Sequence, residues 1–274
     1  MSRLLELLRG SRYPMIGMVQ LPPLPGGSTY QGAQLTSIID VALEEADLLN
    51  QAGLDALMIQ NLGDIPVTHK VSPTQLTWMT RVASEVVAQC QIPVGLNFME
   101  NDAEAAIACA SAVDLDFVRI KVFVGVMVTP FGLMNGVAHA VHKVRNLLDA
   151  QNVAILADVH DRTGINLGGR DIEEDIREAV DLGGADALVL TAPTYDKSLQ
   201  YLRAGKKRVP DTPLVLGGGA NESNIGEVLA LADGAIVSSS LKDSGNAFGK
   251  VDLAKARRFM AEVRAIREKQ PLPL

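Results

Sequence analysis

The sequence predicts a closed (β/α)8 barrel, and three observations carry the prediction. Eight short apolar runs alternate with amphipathic helical segments along 274 residues, a length that one such barrel fills without a linker. Two of the last runs end in small residues, Gly217-Gly218-Gly219 and Ser238-Ser239-Ser240, where free backbone N–H groups would face an anion as in the phosphate sites of these barrels. Several strands are entered through a small residue and an aspartate, as at Gly53-Leu54-Asp55, Gly184-Ala185-Asp186 and Ala232-Asp233, where a helix ends and the chain turns into a parallel strand. An open doubly wound sheet is the alternative, but it would carry its glycine-rich turn early in the chain.

Taken in order, residues 1–13 mix leucines with Arg3, Glu6, Arg9 and Arg12 and read as a short helical extension, not as the apolar core of a signal peptide. Apolar content and β-branching then mark strands at 14–20, 55–61, 92–98, 116–122, 153–160, 186–191, 213–217 and 234–239. Helical spacing marks 36–52, 73–90, 102–112, 135–150, 171–182, 196–206, 221–231 and 251–269. Two connections are longer than the rest. The first, 21–27, is proline-rich, stiff and extended, and is expected to wall or cap the barrel mouth. The second, 123–134, holds Gly125, Pro130 and Gly132 and reads as a lid or a subunit contact.

Charge and composition exclude several classes. With 25 basic against 32 acidic residues the net charge is −7 and no Lys/Arg block compensates it, which argues against nucleic-acid and anionic-membrane partners and for a small metabolite. No apolar run is long enough to span a bilayer, so the expected location is the cytoplasm. Cys90 and Cys109 form neither a disulfide framework nor a metal-ligand spacing.

In this fold the site is built at the C-terminal ends of the strands. On the fourth strand strict alternation turns Val118, Ile120 and Val122 toward the helices and Arg119 and Lys121 into the barrel. On the fifth, Asp158 and His160 lie two residues apart and so share a face beside Lys121. Arg119, Lys121, Asp158 and His160 are therefore the candidate catalytic residues. An ion pair that merely fills the barrel is the alternative to a carboxylate or amine held at a working pKa. Asp158 and His160 would also suit a divalent metal, although a hydrogen-bonded network is the commoner use of such a pair and no metal site is assigned. Gln20, Gln60, Asn61 and Asn97 end the first three strands and would orient hydroxyls or carbonyls. Thr191 ends the sixth strand. Gly217, Gly218, Gly219 and Ser239 would hold phosphate, with Asn221 as a helix N-cap. Glu100 and Asp102 read equally as first-turn helix residues and as catalytic ones.

Longer stretches carry a family resemblance. Ile-Gly-Met-Val-Gln-Leu-Pro-Pro-Leu-Pro-Gly at 16–26, Asp-Ala-Leu-Met-Ile-Gln-Asn-Leu-Gly-Asp-Ile-Pro at 55–66, Gly-Leu-Asn-Phe-Met-Glu-Asn-Asp at 95–102, Phe-Val-Arg-Ile at 117–120 and Ala-Asp-Gly-Ala-Ile-Val at 232–237 together resemble the BtpA/SgcQ family over nearly the whole chain. The resemblance implies a (β/α)8 barrel. For the branch that gives the family its name it implies a role in photosystem I biogenesis, and for other members a place among sugar-utilisation proteins. The chain departs from the family pattern at Gln20, where a His is usual, at Gln60, where a Glu is usual, and at Lys121, where an Asn is usual. Two proton-transfer groups are thereby replaced by amides.

Two functions of different class follow. One is an enzyme acting on a small phosphorylated metabolite such as a sugar phosphate, by isomerase or lyase chemistry, with Lys121 as amine or electrostatic stabiliser and Asp158 with His160 moving protons. The other is a non-catalytic assembly factor that acts through its surface, with homo-oligomerisation compatible with either.

Overall fold

A computed structural model of the chain describes residues 2–10, 12–168 and 170–269. Helix α1 (Arg3–Arg9) precedes strand β1 (Met15–Gln20), which is followed by α2 (Leu35–Ala52), β2 (Ala56–Gln60), α3 (Pro73–Gln89), β3 (Val94–Asn97), α4 (Ala103–Ala112) and β4 (Phe117–Ile120). A hairpin of β5 (Val126–Thr129) and β6 (Gly132–Asn135) then leads to α5 (Ala138–Leu147), β7 (Ala154–Val159) and the short β8 (Ile165–Leu167). The chain closes with α6 (Ile172–Asp181), β9 (Ala187–Leu190), α7 (Tyr195–Arg208), β10 (Leu214–Leu216), α8 (Ile225–Leu229), β11 (Gly234–Val237) and α9 (Leu253–Lys269).

Eight of these strands form a closed parallel barrel in the order β1-β2-β3-β4-β7-β9-β10-β11 and back to β1, as the sequence predicts. They are mostly apolar on both faces because one face meets the helices and the other the barrel interior, with polar side chains entering toward the C-terminal ends of five of them. The interior cluster joins Ile16, Met18, Met58, Phe117, Leu156, Val189, Val215 and Ile236, and Leu4, Leu5 and Leu8 of α1 belong to it. The predicted N-terminal helix is thus a plug at the N-terminal end of the barrel. Phe117 fills the interior only because Gly95 stands beside it: a Cβ there would lie 2.5 Å from the ring.

Helix boundaries follow their caps. Ser72 and Gln75 form a capping box ahead of Pro73 in α3, while Asp102, Asp171 and Thr194 each accept the third backbone N–H of α4, α6 and α7. Helix α2 ends at Gly53, whose φ of 90° requires glycine.

The aspartates at the strand entries do more than mark turns. Asp55, ahead of β2, accepts the amide of Met15 in β1; Asp116 accepts that of Val94 in β3; Asp186 accepts that of Ile155 in β7; Asp233 accepts that of Leu214 in β10. Each carboxylate also holds a cation from a helix: Arg267, Arg3, Arg145 and Lys206 in turn. The barrel is therefore clamped at its N-terminal end in four pairs of consecutive strands. Between pairs the closure is backbone alone, through the carbonyls of Pro93, Asp116, Pro213 and Pro14.

One region departs from the sequence reading. The connection at 123–134 is a β-hairpin that pairs with β8 into a three-stranded antiparallel sheet, and α5 begins at Ala138 instead of 135. Thr129 closes the two-residue turn by donating its hydroxyl to the Gly132 carbonyl, so Pro130 and Gly132 serve a tight hairpin turn in the segment read from the sequence as a lid or a subunit contact. Val122 packs beneath this sheet with Met127 and Met134, away from the barrel helices.

Candidate active site at the barrel mouth

A cavity of about 280 Å³ opens at the C-terminal end of the barrel. Its wall takes Gln20 from β1, Gln60 from β2, Asn97 from β3, Arg119 from β4 and Lys121 just beyond it, Asp158 from β7, Thr191 after β9, Gly217–Gly219 after β10 and Ser238 and Ser239 after β11. Ten of the twelve candidate residues, all but His160 and Asn61, belong to this wall, because inward-facing positions of parallel strands converge there.

The electrostatics divide it in two. On one side Arg119 donates two hydrogen bonds of 2.8 Å to the two carboxylate oxygens of Asp158. Burial pushes the Asp158 carboxyl up to about 6; Arg119 opposes that shift and the neighbouring Asp161 reinforces it. Asp161 moves the other way. Burial raises it, but Lys121, Arg119 and two bonds from Thr163 outweigh burial and hold it below the usual carboxylate range. The Nζ of Lys121 lies 3.9 Å from Asp161, is 5.7 Å from the centre of the Phe131 ring, and is buried without a hydrogen-bond partner.

On the other side stand the two small-residue turns, brought side by side by the pairing of β10 with β11. The Gly217 amide is used by the Leu190 carbonyl. Among the described residues the amides of Gly218, Gly219, Ala220, Ser239 and Ser240 donate to no backbone carbonyl. Gly219 has φ 89° and open space around it, and a Cβ on Gly218 would sit 3.5 Å from the exposed Arg162 guanidinium. Gln20 Oε1, Thr191 Oγ1 and Ser238 Oγ are buried without partners. Gln60 donates to Asn97, which in turn donates to the Arg119 carbonyl.

Several expectations change. His160 does not line the mouth cavity: its φ is +59°, which ends the strand alternation and turns the ring onto Asp175 of α6 and the Tyr201 hydroxyl, where it shares a second, adjoining cavity with Lys121 and Asp158. The same turn brings Asp161 and Arg162 to the mouth cavity, two residues that the period-two rule could not find. Asn61 is fully buried in a cluster with Asp64 and Glu100 and does not line the cavity. Burial raises the Glu100 carboxyl, which also receives Gln75, and Asp102 caps α4. The proline-rich segment packs on the turn after β2, where Asp64 accepts the Leu24 amide; it supports the wall residues Leu62 and Ile65 without reaching the cavity. Asn221 accepts from Ser223 in a local turn and does not cap α8. Among the described residues no group of three or more His, Cys, Asp or Glu side chains is placed to hold a metal ion, and no helix is long and apolar enough to cross a membrane.

Comparison with known proteins places these features in a wider set. The structure of N-(5'-phosphoribosyl)anthranilate isomerase from Pyrococcus furiosus matches with a TM-score of 0.55 at 14% identity, covering 92% of this chain and 99% of that one; the likeness is one of fold. The photosystem I biogenesis protein BtpA of Synechocystis is 35% identical over 250 residues, 90% of this chain and 86% of that protein. The sgc region protein SgcQ of Escherichia coli is 30% identical over 272 residues, 97% of this chain and 100% of that protein. The model of the BtpA family matches residues 11–265, and the chain belongs to that family.

Proposed function

We propose that the barrel mouth binds a small phosphorylated metabolite, of the sugar-phosphate class, and that the chain is an isomerase or lyase acting on it. The observation that carries this reading is the pair of adjacent turns at Gly217–Gly219 and Ser238–Ser240, with unused amides and the Arg162 guanidinium beside them. A phosphate there would leave the remainder of the molecule lying across the cavity toward Lys121. Lys121 would act as amine or electrostatic stabiliser of a carbonyl oxygen, Arg119 would fix Asp158, and Asp158 and Asp161 would exchange protons with the substrate. Two carboxylates driven apart in pKa by their surroundings suit an acid and a base in one site. The phosphoribosyl substrate in the name of the fold relative is consistent with this use of the barrel.

The test is thermal stability in millimolar inorganic phosphate and in a panel of sugar phosphates. The wild type should be stabilised, and Gly218→Asp, which sets a carboxylate against Arg162, should lose the response. An unresponsive wild type overturns the reading. It would favour the assembly-factor alternative, for which the relevant observation is the apolar outer face of the β5-β6-β8 sheet, where Val128, Leu133, Ile165 and Leu167 are exposed.

A further inference from the structure

Five charged side chains line the cavity: Arg119, Lys121, Asp158, Asp161 and Arg162. Four of them balance in place. Arg119 and Asp158 form a closed two-bond pair, and Lys121 faces Asp161 at 3.9 Å. Arg162 is the fifth, and among the described residues it makes no hydrogen bond or ion pair. The cavity thus has one uncompensated positive charge, and it stands at the glycine turn.

The rest of the wall is neutral but unsatisfied. Thr191 Oγ1 on the β9 side, Ser238 Oγ after β11 and Gln20 Oε1 on β1 are buried oxygens with no partner, and they follow one another around the barrel on either side of the β10 turn. Thr191 is 4% exposed, so water in bulk does not serve it. Buried polar atoms left in this state cost stability unless a ligand or a trapped water completes them. Two hydroxyls can donate or accept, and an amide oxygen accepts; the complementary ligand group is a row of hydroxyls. A carboxylate is not complementary. At the Lys121 end the two cations are already balanced by Asp158 and Asp161, so a carboxylate there would add a charge with no spare counter-ion in a space with little water.

We infer that the ligand carries a single phosphate, held at the glycine and serine turns, and an uncharged hydroxyl-bearing remainder, and that the cavity discriminates against phosphorylated carboxylic acids of the same length. The inference rests on the phosphate reading proposed above and narrows it. It separates substrates with a carbonyl or hydroxyl at the Lys121 end from those with an acid there.

Calorimetric titration of the full chain with inorganic phosphate, ribose 5-phosphate, glucose 6-phosphate and 6-phosphogluconate tests it. The sugar phosphates should bind more tightly than inorganic phosphate, and 6-phosphogluconate should bind at least about tenfold more weakly than glucose 6-phosphate. Asp161→Asn removes one of the balancing charges and should narrow that gap. If inorganic phosphate and both sugar phosphates fail to bind, the phosphate reading falls and this inference with it. If inorganic phosphate binds while the acid binds as well as the sugar, or neither sugar phosphate improves on phosphate, the inference is overturned and the phosphate reading stands. The wild-type comparison decides the matter even where Asp161→Asn does not fold.

Discussion

Lys121 and Asp161 face each other at 3.9 Å across the barrel mouth, close enough to neutralise one another and too far apart to share a hydrogen bond. The ammonium keeps all its donors for something else. Lys121→Met therefore costs the fold little, because Asp161 retains both bonds from Thr163 and the proximity of Arg119. Turnover of any substrate found should fall by about three orders of magnitude or more, since in the proposed reaction the group lost is the one that would meet the carbonyl. Unfolding midpoints and kcat measured on the same preparation check both halves.

Arg119→Met should behave in the opposite way. It strips a buried carboxylate of the two hydrogen bonds that Arg119 donates, and breaking a buried pair costs about 3–5 kcal/mol. Asp158 can escape part of that cost by taking up a proton, so the loss measured by urea unfolding should be larger at pH 8 than at pH 5.

The raised carboxyl of Asp158 has its own signature. Its folded value of about 6 lies above the unfolded value near 3.9. It therefore favours the folded state fully below about pH 4, and that contribution is lost as pH rises through 6. The melting temperature of the wild type relative to Asp158→Asn should fall between pH 4 and about 6 and then level off. A difference that is flat over this interval would contradict the assignment.

His160 holds a left-handed backbone that few side chains tolerate, and asparagine is among those that do. His160→Asn should keep the fold and the phosphate response. His160→Val should lose about 1–3 kcal/mol and weaken ligand binding as well, because the turn at this residue brings Asp161 and Arg162 to the mouth.

The barrel and most of its mouth were legible in the sequence for one reason: parallel strands expose their inward positions at period two, and Arg119, Asp158, Gln20, Gln60 and Asn97 obey that period. Legibility stopped where the backbone left it. One residue of positive φ at His160 exchanged the roles of positions 160 and 161, and nothing in the residue type announces such a turn. Asn61 sits one place past the last paired residue of β2, and its side chain turns into a buried carboxylate cluster that no periodic rule describes. The β5-β6-β8 sheet was not legible because β5 pairs with a strand from a distant loop, Val126 opposite Leu167 and Val128 opposite Ile165, a pairing that local composition does not encode.

The aspartates at 55, 116, 186 and 233 divide the barrel into quarters. Asp116→Ala should cost about 3 kcal/mol by freeing Val94 N–H and releasing Arg3, and the effect should stay within the quarter that holds β3 and β4. Amide exchange measured strand by strand should show the loss of protection concentrated there. A chain divided between β4 and β7 leaves two aspartate–amide contacts whole in each half, with only the Arg267–Asp55 ion pair crossing the cut, whereas one divided between β3 and β4 tears an aspartate from the amide that it holds. Co-expressed halves of the first kind should reassemble more readily than those of the second, as expected of a ring made by repeating one two-strand module.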